Sequence, residues 1–329
     1  MKAIYVSQPG GPEQLQLGEF PDPVPGERDI LVAVTAAGVN RADILQRQGK
    51  YPPPPGTPPF PGLEVAGVVL AVGKKCRHWQ KGDRVCAILP GGGYAEKVVI
   101  PCDLAMPIPP GLSDEQAAAI PEVFLTAYQT LIWIARLQPK EYVLIHAGAS
   151  GVGTAAIQLA RVVGAQPIIT AGSPEKIAFC QSLGAIGGIN YKTQSFPPII
   201  QQLTSGHGAD VILDPVGAPY FLPNLEALAM DGRIVLIATM GGTRLEEFNL
   251  RQLFKKRAQI TASTLRNRSL AYKINLTRDF AERMLPLFET GELQPVIDRV
   301  FPWTAVQEAH RYMESNRNKG KIVLRIQII

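Results

Sequence analysis

The sequence predicts an α/β protein in which a doubly wound parallel sheet accompanies a second, mainly β unit. Three observations predict it. Residues 1 to about 120 are rich in Gly and Pro, with short β-like runs divided by turn signals. From Glu122 onward, helix-like and strand-like patterns alternate, which implies right-handed crossovers and a parallel sheet. Near the head of that alternation, Tyr142 to Ala160 reads as a buried strand, a glycine-rich turn and an amphipathic helix.

The elements follow in order. Strands are expected at Ala3–Val6, Leu15–Glu19, Ile30–Ala37, Val65–Val72, Arg84–Ile88 and Ala95–Ile100, a barrel-like set. Between them, Gly49 to Pro61 is proline-rich, which fixes an extended loop of low entropy. Glu122 to Ala135 reads as a helix. Strands are then expected near 142–146, 166–170, 188–190, 209–214, 233–237 and 259–265, with helices between most of them. A helix over Tyr272–Glu289 and a closing strand over Gly320–Leu324 complete the chain. The domains are read as 1–121 with 267–329, and 122–266.

Composition fits a soluble protein with two domains, since 46% of the 329 residues are hydrophobic. Met1 to Val6 reads as a strand without the apolar core of a signal peptide. No uninterrupted apolar run reaches membrane-spanning length, so no membrane partner and a cytoplasmic location are expected. The net charge of +5 is mild. The clusters Lys255-Lys256-Arg257 and Arg266-Asn267-Arg268 lack interleaved aromatics, which speaks against nucleic-acid binding. Cys76, Cys86, Cys102 and Cys180 stand far apart, and His78, His146, His207 and His310 lack ligand spacing. No metal site is expected, and the thiols read as reduced packing residues. His146, closing its strand, reads as a packed or hydrogen-bonded side chain.

The glycine turn carries the chemistry. Tyr142 to Ile145 is an apolar run, as a strand covered on both faces requires. Val152, Ala155, Ala156, Leu159, Ala160 and Val163 give the following helix one apolar face. Gly148, Gly151 and Gly153 allow a tight turn and let a phosphate approach bare N–H groups, with Ser150 where the middle glycine of the usual fingerprint stands. This geometry holds a dinucleotide pyrophosphate, with Val152 in the first turn. At the end of the next strand an NAD site places Asp or Glu about 20 residues on, to hold the ribose 2′-OH. This chain has Gly172, Ser173 and Lys176, which suit a 2′-phosphate. Two charge-assisted bonds there favour NADPH over NADH by roughly a hundredfold or more. Ser173-Pro174 also has the form of a cap on the helix Pro174–Leu183, and the two roles can coexist.

Several strings in fixed order carry a family resemblance: Ala37 to Asp43, Pro61 to Val69, Gly82 to Val85, Gly91 to Glu96, Ala119 to Glu122, His146 to Gly153 and Gly320 to Val323. Over essentially its whole length the chain resembles the medium-chain dehydrogenases/reductases. Within them it is similar to the zinc-independent, zeta-crystallin-like NADPH:quinone oxidoreductases. The resemblance implies a GroES-like catalytic domain beside a Rossmann domain. Zinc-dependent relatives carry a ligand cysteine where this chain has Asn40, and a ligand histidine where it has Leu63. Without a Lewis acid, the acceptor must take hydride readily, as quinones and activated enones do.

The resemblance also implies single roles. Asn40 is expected beside nicotinamide and substrate, Tyr51 as hydrogen-bond donor to a quinone oxygen, and Thr126 near the nicotinamide. Tyr191 is expected by the 2′-phosphate, and Met240, Gly241 and Gly242 at the nicotinamide. Leu265, Arg266, Asn267 and Asn318 are expected to close on the cofactor from the domain boundary. Each residue also has an ordinary structural reading, as cap, loop aromatic or helix residue. The function implied is hydride transfer from NADPH to a quinone in the interdomain cleft. An enone or alkenal reductase, or a non-catalytic NADPH- or RNA-binding protein, remains as an alternative. The β-prone, charge-poor edge strand 259–265 is expected to join a homodimer.

Overall fold

In the computed structural model, which describes residues 1–327, the chain opens with an antiparallel hairpin of β1 (Lys2–Val6) and β2 (Leu15–Glu19). The next element, β3 (Asp29–Val39), organises its unit: alternate side chains from Ile30 to Ala36 are buried, and three strands pair with it. A short helix α1 (Arg41–Arg47) follows, then β4 (Glu64–Val72), β5 (Arg84–Ile88), β6 (Lys97–Pro101), β7 (Ala105–Pro107), α2 (Asp114–Ala117) and α3 (Pro121–Tyr128). Ile30, Val32 and Val34 on β3 pack with Val65, Val69, Val85, Ile100 and Trp303 into one core.

The expected helix 122–135 is not uniform. After α3, residues Gln129–Ile134 widen into a π-helical turn, where Ala135 N–H reaches Thr130 O at 2.9 Å. The cause is local. Thr130 donates its hydroxyl to the carbonyls of Thr126 (2.8 Å) and Ala127 (3.0 Å), competing with the backbone ladder. The chain separates into two units, Met1–Leu125 with Arg266–Ile329, and Thr126–Leu265. Residues 122–125 and Arg266, which the sequence assigns to the second domain, fall in the first, where Glu122 N–H bonds Glu64 Oε2 at 2.8 Å.

The second unit is a six-stranded parallel sheet. It comprises β8 (Tyr142–Ile145), α4 (Gly151–Val163), β9 (Gln166–Ala171), α5 (Pro174–Ser182), β10 (Gly187–Asn190), α6 (Phe196–Leu203), β11 (Ala209–Asp214), α7 (Ala218–Ala227), β12 (Leu228–Leu236), α8 (Arg251–Lys256) and β13 (Gln259–Ala262). The strand order β10-β9-β8-β11-β12-β13 reverses direction between β8 and β11, and ligands bind at such switch points. β13 stops at Ala262, short of the expected 265, and buried Ser263 accepts a bond from Gln129 Nε2 at 2.8 Å.

The chain returns to the first unit through α9 (Leu270–Glu289), β14 (Ile297–Pro302), α10 (Val306–Glu314) and β15 (Lys321–Arg325). β14 has no buried residue and no alternation to read in sequence, yet it pairs in parallel with β15. β15 joins β3 antiparallel, which brings Ile322 opposite Val39.

Candidate functional site: a dinucleotide turn and a buried charge cluster

In the second unit the turn after β8 is built as its glycines predict. A Cβ on Gly148 would lie 2.5 Å from Ile169 Cβ, and one on Gly153 would lie 2.5 Å from the carbonyls of Ala147 and Gly148. Both positions therefore need glycine, for strand contact and for close helix packing. Ser150 is the N-cap of α4. Its Oγ accepts Gly153 N–H at 3.0 Å and its carbonyl accepts Thr154 N–H at 2.8 Å. The first-turn N–H groups of Gly151 and Val152 have no intrahelical acceptor by geometry, and they lie at the positive end of a 13-residue helix. That donor set fits a pyrophosphate.

The end of β9 supplies the other half. Ser173 caps α5, its Oγ accepting Lys176 N–H at 3.4 Å, so the capping role is present. A Cβ on Gly172 would meet Tyr191 Oη at 2.9 Å and Lys192 Cε at 3.3 Å. Gly172, Ser173, Tyr191 and Lys192 thus converge, with Lys176 one turn along α5. Lys192 was not singled out from the sequence, although it directly follows Tyr191. This hydroxyl-and-ammonium cluster fits a phosphate monoester, and Gly172 stands at the strand end where a site for a ribose diol places its carboxylate.

His146 is a buried hydrogen-bonded residue, as read. Asn224 donates Nδ2–H to Asp214 Oδ2 at 2.9 Å, so its Oδ1 faces His146 Nε2 at 2.7 Å and that nitrogen carries the proton. Nδ1 then accepts the Thr170 hydroxyl at 3.0 Å. Burial pushes the imidazole down to about 4, so it is neutral at working pH. Asp214 Oδ1 takes the N–H groups of Val216 (2.6 Å) and Gly217 (3.1 Å). One network therefore ties the ends of β8, β9 and β11. Met240, Gly241 and Gly242 lie on the loop beyond β12, where Gly241 N–H reaches Val216 O at 2.8 Å and Gly217 bridges to Gly242.

In the first unit Asn40 heads α1 within a buried cluster. Lys321 Nζ lies 2.6 Å from Glu64 Oε1, 2.7 Å from Asn40 Oδ1 and 2.8 Å from Val39 O. Asn40 Nδ2 donates to Glu64 Oε1 (3.0 Å) and Gly38 O (3.4 Å). Because an ammonium only donates, the amide orientation is fixed, and both of its amide hydrogens serve its own unit. Asp43 accepts Asn40 N–H (2.8 Å), Gly62 N–H (2.9 Å) and the Tyr94 hydroxyl (3.2 Å). Burial nevertheless pushes Asp43 up to about 6. These donors do not suit zinc, which favours thiolate and imidazole. They are oxygens already bound to an ammonium.

Tyr51 is half-buried, and the Arg266 guanidinium stands 5.1 Å over its ring. Burial raises the phenol above its ordinary value, which keeps it a donor. Arg266 holds the loop in place: Nε donates to Pro90 O (2.6 Å), Nη2 to Gln46 Oε1 (2.6 Å) and Nη1 to Tyr51 O (3.4 Å). Expected at the cofactor, this guanidinium is engaged within its own unit. Asn318 closes a turn onto Gly320 O at 2.9 Å, Asn267 is exposed, and Leu265 is buried. Thr126 begins the second unit on α3. Asn40, Tyr51 and Arg266 are thus gathered in one unit, and the residues from Gly148 to Gly242 in the other.

Residues 26–110 match the family described as "Alcohol dehydrogenase GroES-like domain", and residues 151–290 that described as "Zinc-binding dehydrogenase". The human synaptic vesicle membrane protein VAT-1 homolog is 31% identical over 98% of this chain and 86% of its own length. The quinone oxidoreductase-like protein 2 homolog of Nematostella vectensis is 34% identical over 91% of this chain and 82% of its own. Among solved structures, Escherichia coli quinone oxidoreductase complexed with NADPH superposes with a TM-score of 0.88 at 31% identity, covering 99% of this chain and 100% of that one. CurK enoyl reductase gives 0.87 at 30% identity, covering 99% of both.

Proposed function

Because the chain belongs to the medium-chain dehydrogenase/reductase superfamily, a family of nicotinamide-dependent oxidoreductases, we propose that it is an NADPH-dependent quinone reductase that works without zinc. Bound NADPH supplies the hydride. The protein's part is to hold the two reactants and to stabilise the oxygen on which charge develops.

The observation that carries the reading is the Lys321 ammonium, closed in by Asn40, Val39 and Glu64. At the positions where zinc-dependent relatives hold their metal, this chain has a carboxamide and Leu63, and it has built a cation into the surrounding oxygens. With no Lewis acid to activate a plain carbonyl, the acceptor must already be electron-poor. A quinone meets that need, since its reduction yields an aromatic product. Tyr51, raised by burial and backed by Arg266, donates to the acceptor oxygen. Ser150, Gly151 and Val152 seat the pyrophosphate. Gly172, Ser173, Lys176, Tyr191 and Lys192 support the preference for the 2′-phosphate.

A second reading, an enone reductase, is favoured by the likeness to CurK enoyl reductase. Comparing kcat/KM across ortho-quinones, para-quinones and enones, each with NADPH and NADH, separates the two. Quinones with NADPH are expected to lead, and enones leading by an order of magnitude would favour the second reading.

A further inference from the structure

Charged side chains that leave water ordinarily do so against an opposite charge. Two cations of the first unit do not. Arg266 is 6% exposed, yet its guanidinium donates only to neutral oxygens, those of Pro90 (2.6 Å), Gln46 (2.6 Å) and Tyr51 (3.4 Å). Lys273 is half-buried near the start of α9. Among the described residues its ammonium reaches one acceptor, the Arg266 carbonyl at 3.4 Å. The positive end of a helix is an unfavourable place for an ammonium unless an anion joins it. Arg268, on the same segment, adds a third cation, stacked 4.6 Å over the Tyr272 ring. The carboxyls that face the pair are Glu122 from α3 and Asp43 from α1. Burial pushes them up, to about 8 and about 6, so Glu122 brings little negative charge at neutral pH.

We infer that Lys273 sets acceptor specificity by binding an anionic oxygen group, a carboxylate, sulfonate or phosphate, carried by the acceptor. This rests on the quinone reading above, in which Tyr51 donates to the acceptor oxygen. Tyr51 and Lys273 stand at the two ends of Arg266. Its guanidinium lies 5.1 Å over the Tyr51 ring, and its carbonyl meets the Lys273 ammonium. One small molecule can therefore set its reducible oxygen at Tyr51 and its anionic group at Lys273. The anion supplies the charge that the two cations lack and lies at the helix end that favours it. No bond is made or broken at Lys273; it selects which acceptor is held. A phosphate of the cofactor offers the same chemistry, and the test separates the two sources.

The probes are naphthoquinone sulfonate, neutral naphthoquinone, and naphthalene sulfonate, which cannot be reduced. K273M should lower the sulfonate-to-neutral ratio of kcat/KM about tenfold, through KM, and K273R should restore most of it. A ratio taken within each protein cancels any general effect of the substitution. Naphthalene sulfonate should bind K273M about tenfold more weakly than the unaltered chain, a difference that shrinks as salt is raised. Quinones reduced with the same ratio in the unaltered chain and K273M would overturn the inference alone. NADPH weakened tenfold in K273M, with the sulfonate ratio unmoved, would assign the ammonium to a cofactor phosphate and overturn it too. Lys273-dependent binding of naphthalene sulfonate by a chain that reduces no quinone would overturn the proposed function, leaving an anion site without its acceptor role.

Discussion

Removing the Lys192 ammonium isolates the 2′-phosphate contribution to cofactor choice. The Lys192 stem passes 3.3 Å from the Cβ position of Gly172, and Tyr191 Oη stands 2.9 Å from it, so both reach the point where a 2′-substituent would emerge beside Gly172. A hydrogen bond to a charged group contributes about 1.5–3 kcal/mol. At about 1.4 kcal/mol per factor of ten, K192A should weaken NADPH by roughly 10- to 150-fold and NADH by less than about twofold. Tyr191 is 47% exposed, so the cluster is open to solvent and the NADPH loss should shrink as salt is raised. Fluorescence titration with both cofactors at low and high salt reads all of this. Equal weakening of NADPH and NADH would refute the phosphate assignment and make Lys192 a general support of the loop.

Three other outcomes are expected. The His146 imidazole lies at about 4 when folded and near 6.5 when unfolded, so the unfolded chain binds the proton first and stability drops as pH falls through that interval, on the order of 3 kcal/mol. H146Q, which can donate to Asn224 and accept from Thr170, should flatten that decline in urea unfolding, and an unchanged slope would place the pH dependence elsewhere. A homodimer through β13 is proposed because the strand edges its sheet, and Met240, Leu250 and Phe254 are exposed nearby in sequence. Ser263 N–H bonds Leu236 O, so by strand alternation the Ala262 N–H faces the free edge. A262P should then give monomers by light scattering, while a dimer that survives it uses another surface. Exhaustive chelation should leave activity intact, and one tightly held zinc per chain lost together with activity would contradict a metal-free reaction.

The parts legible in the sequence were those whose cause is local. The strand, turn and helix from Tyr142 to Ala160 could be read because burial, glycine geometry and helical spacing all fall within one short stretch. Lys321 could not. On a closing strand it resembles any charged strand end, and its burial depends on oxygens of Val39, Asn40 and Glu64, far away in the chain. The contact of Glu64 with the head of α3 is equally hidden, since its Oε2 takes Glu122 N–H from a residue far along the chain. The resemblance implies Arg266 at the cofactor, but its bonds to Gln46 and to the carbonyls of Pro90 and Tyr51 join segments too far apart for any local pattern to announce. β14 has no periodicity of its own and exists because β15 offers an edge.

The most direct test of hydride transfer from NADPH to a quinone is a single turnover. Enzyme loaded with NADPH and mixed with excess para-quinone should lose its reduced-nicotinamide absorbance in one phase, one equivalent per chain, more slowly when the transferred C4 hydrogen is deuterium. Persistence of that absorbance with every quinone tried, from a protein that binds NADPH tightly, would contradict the account.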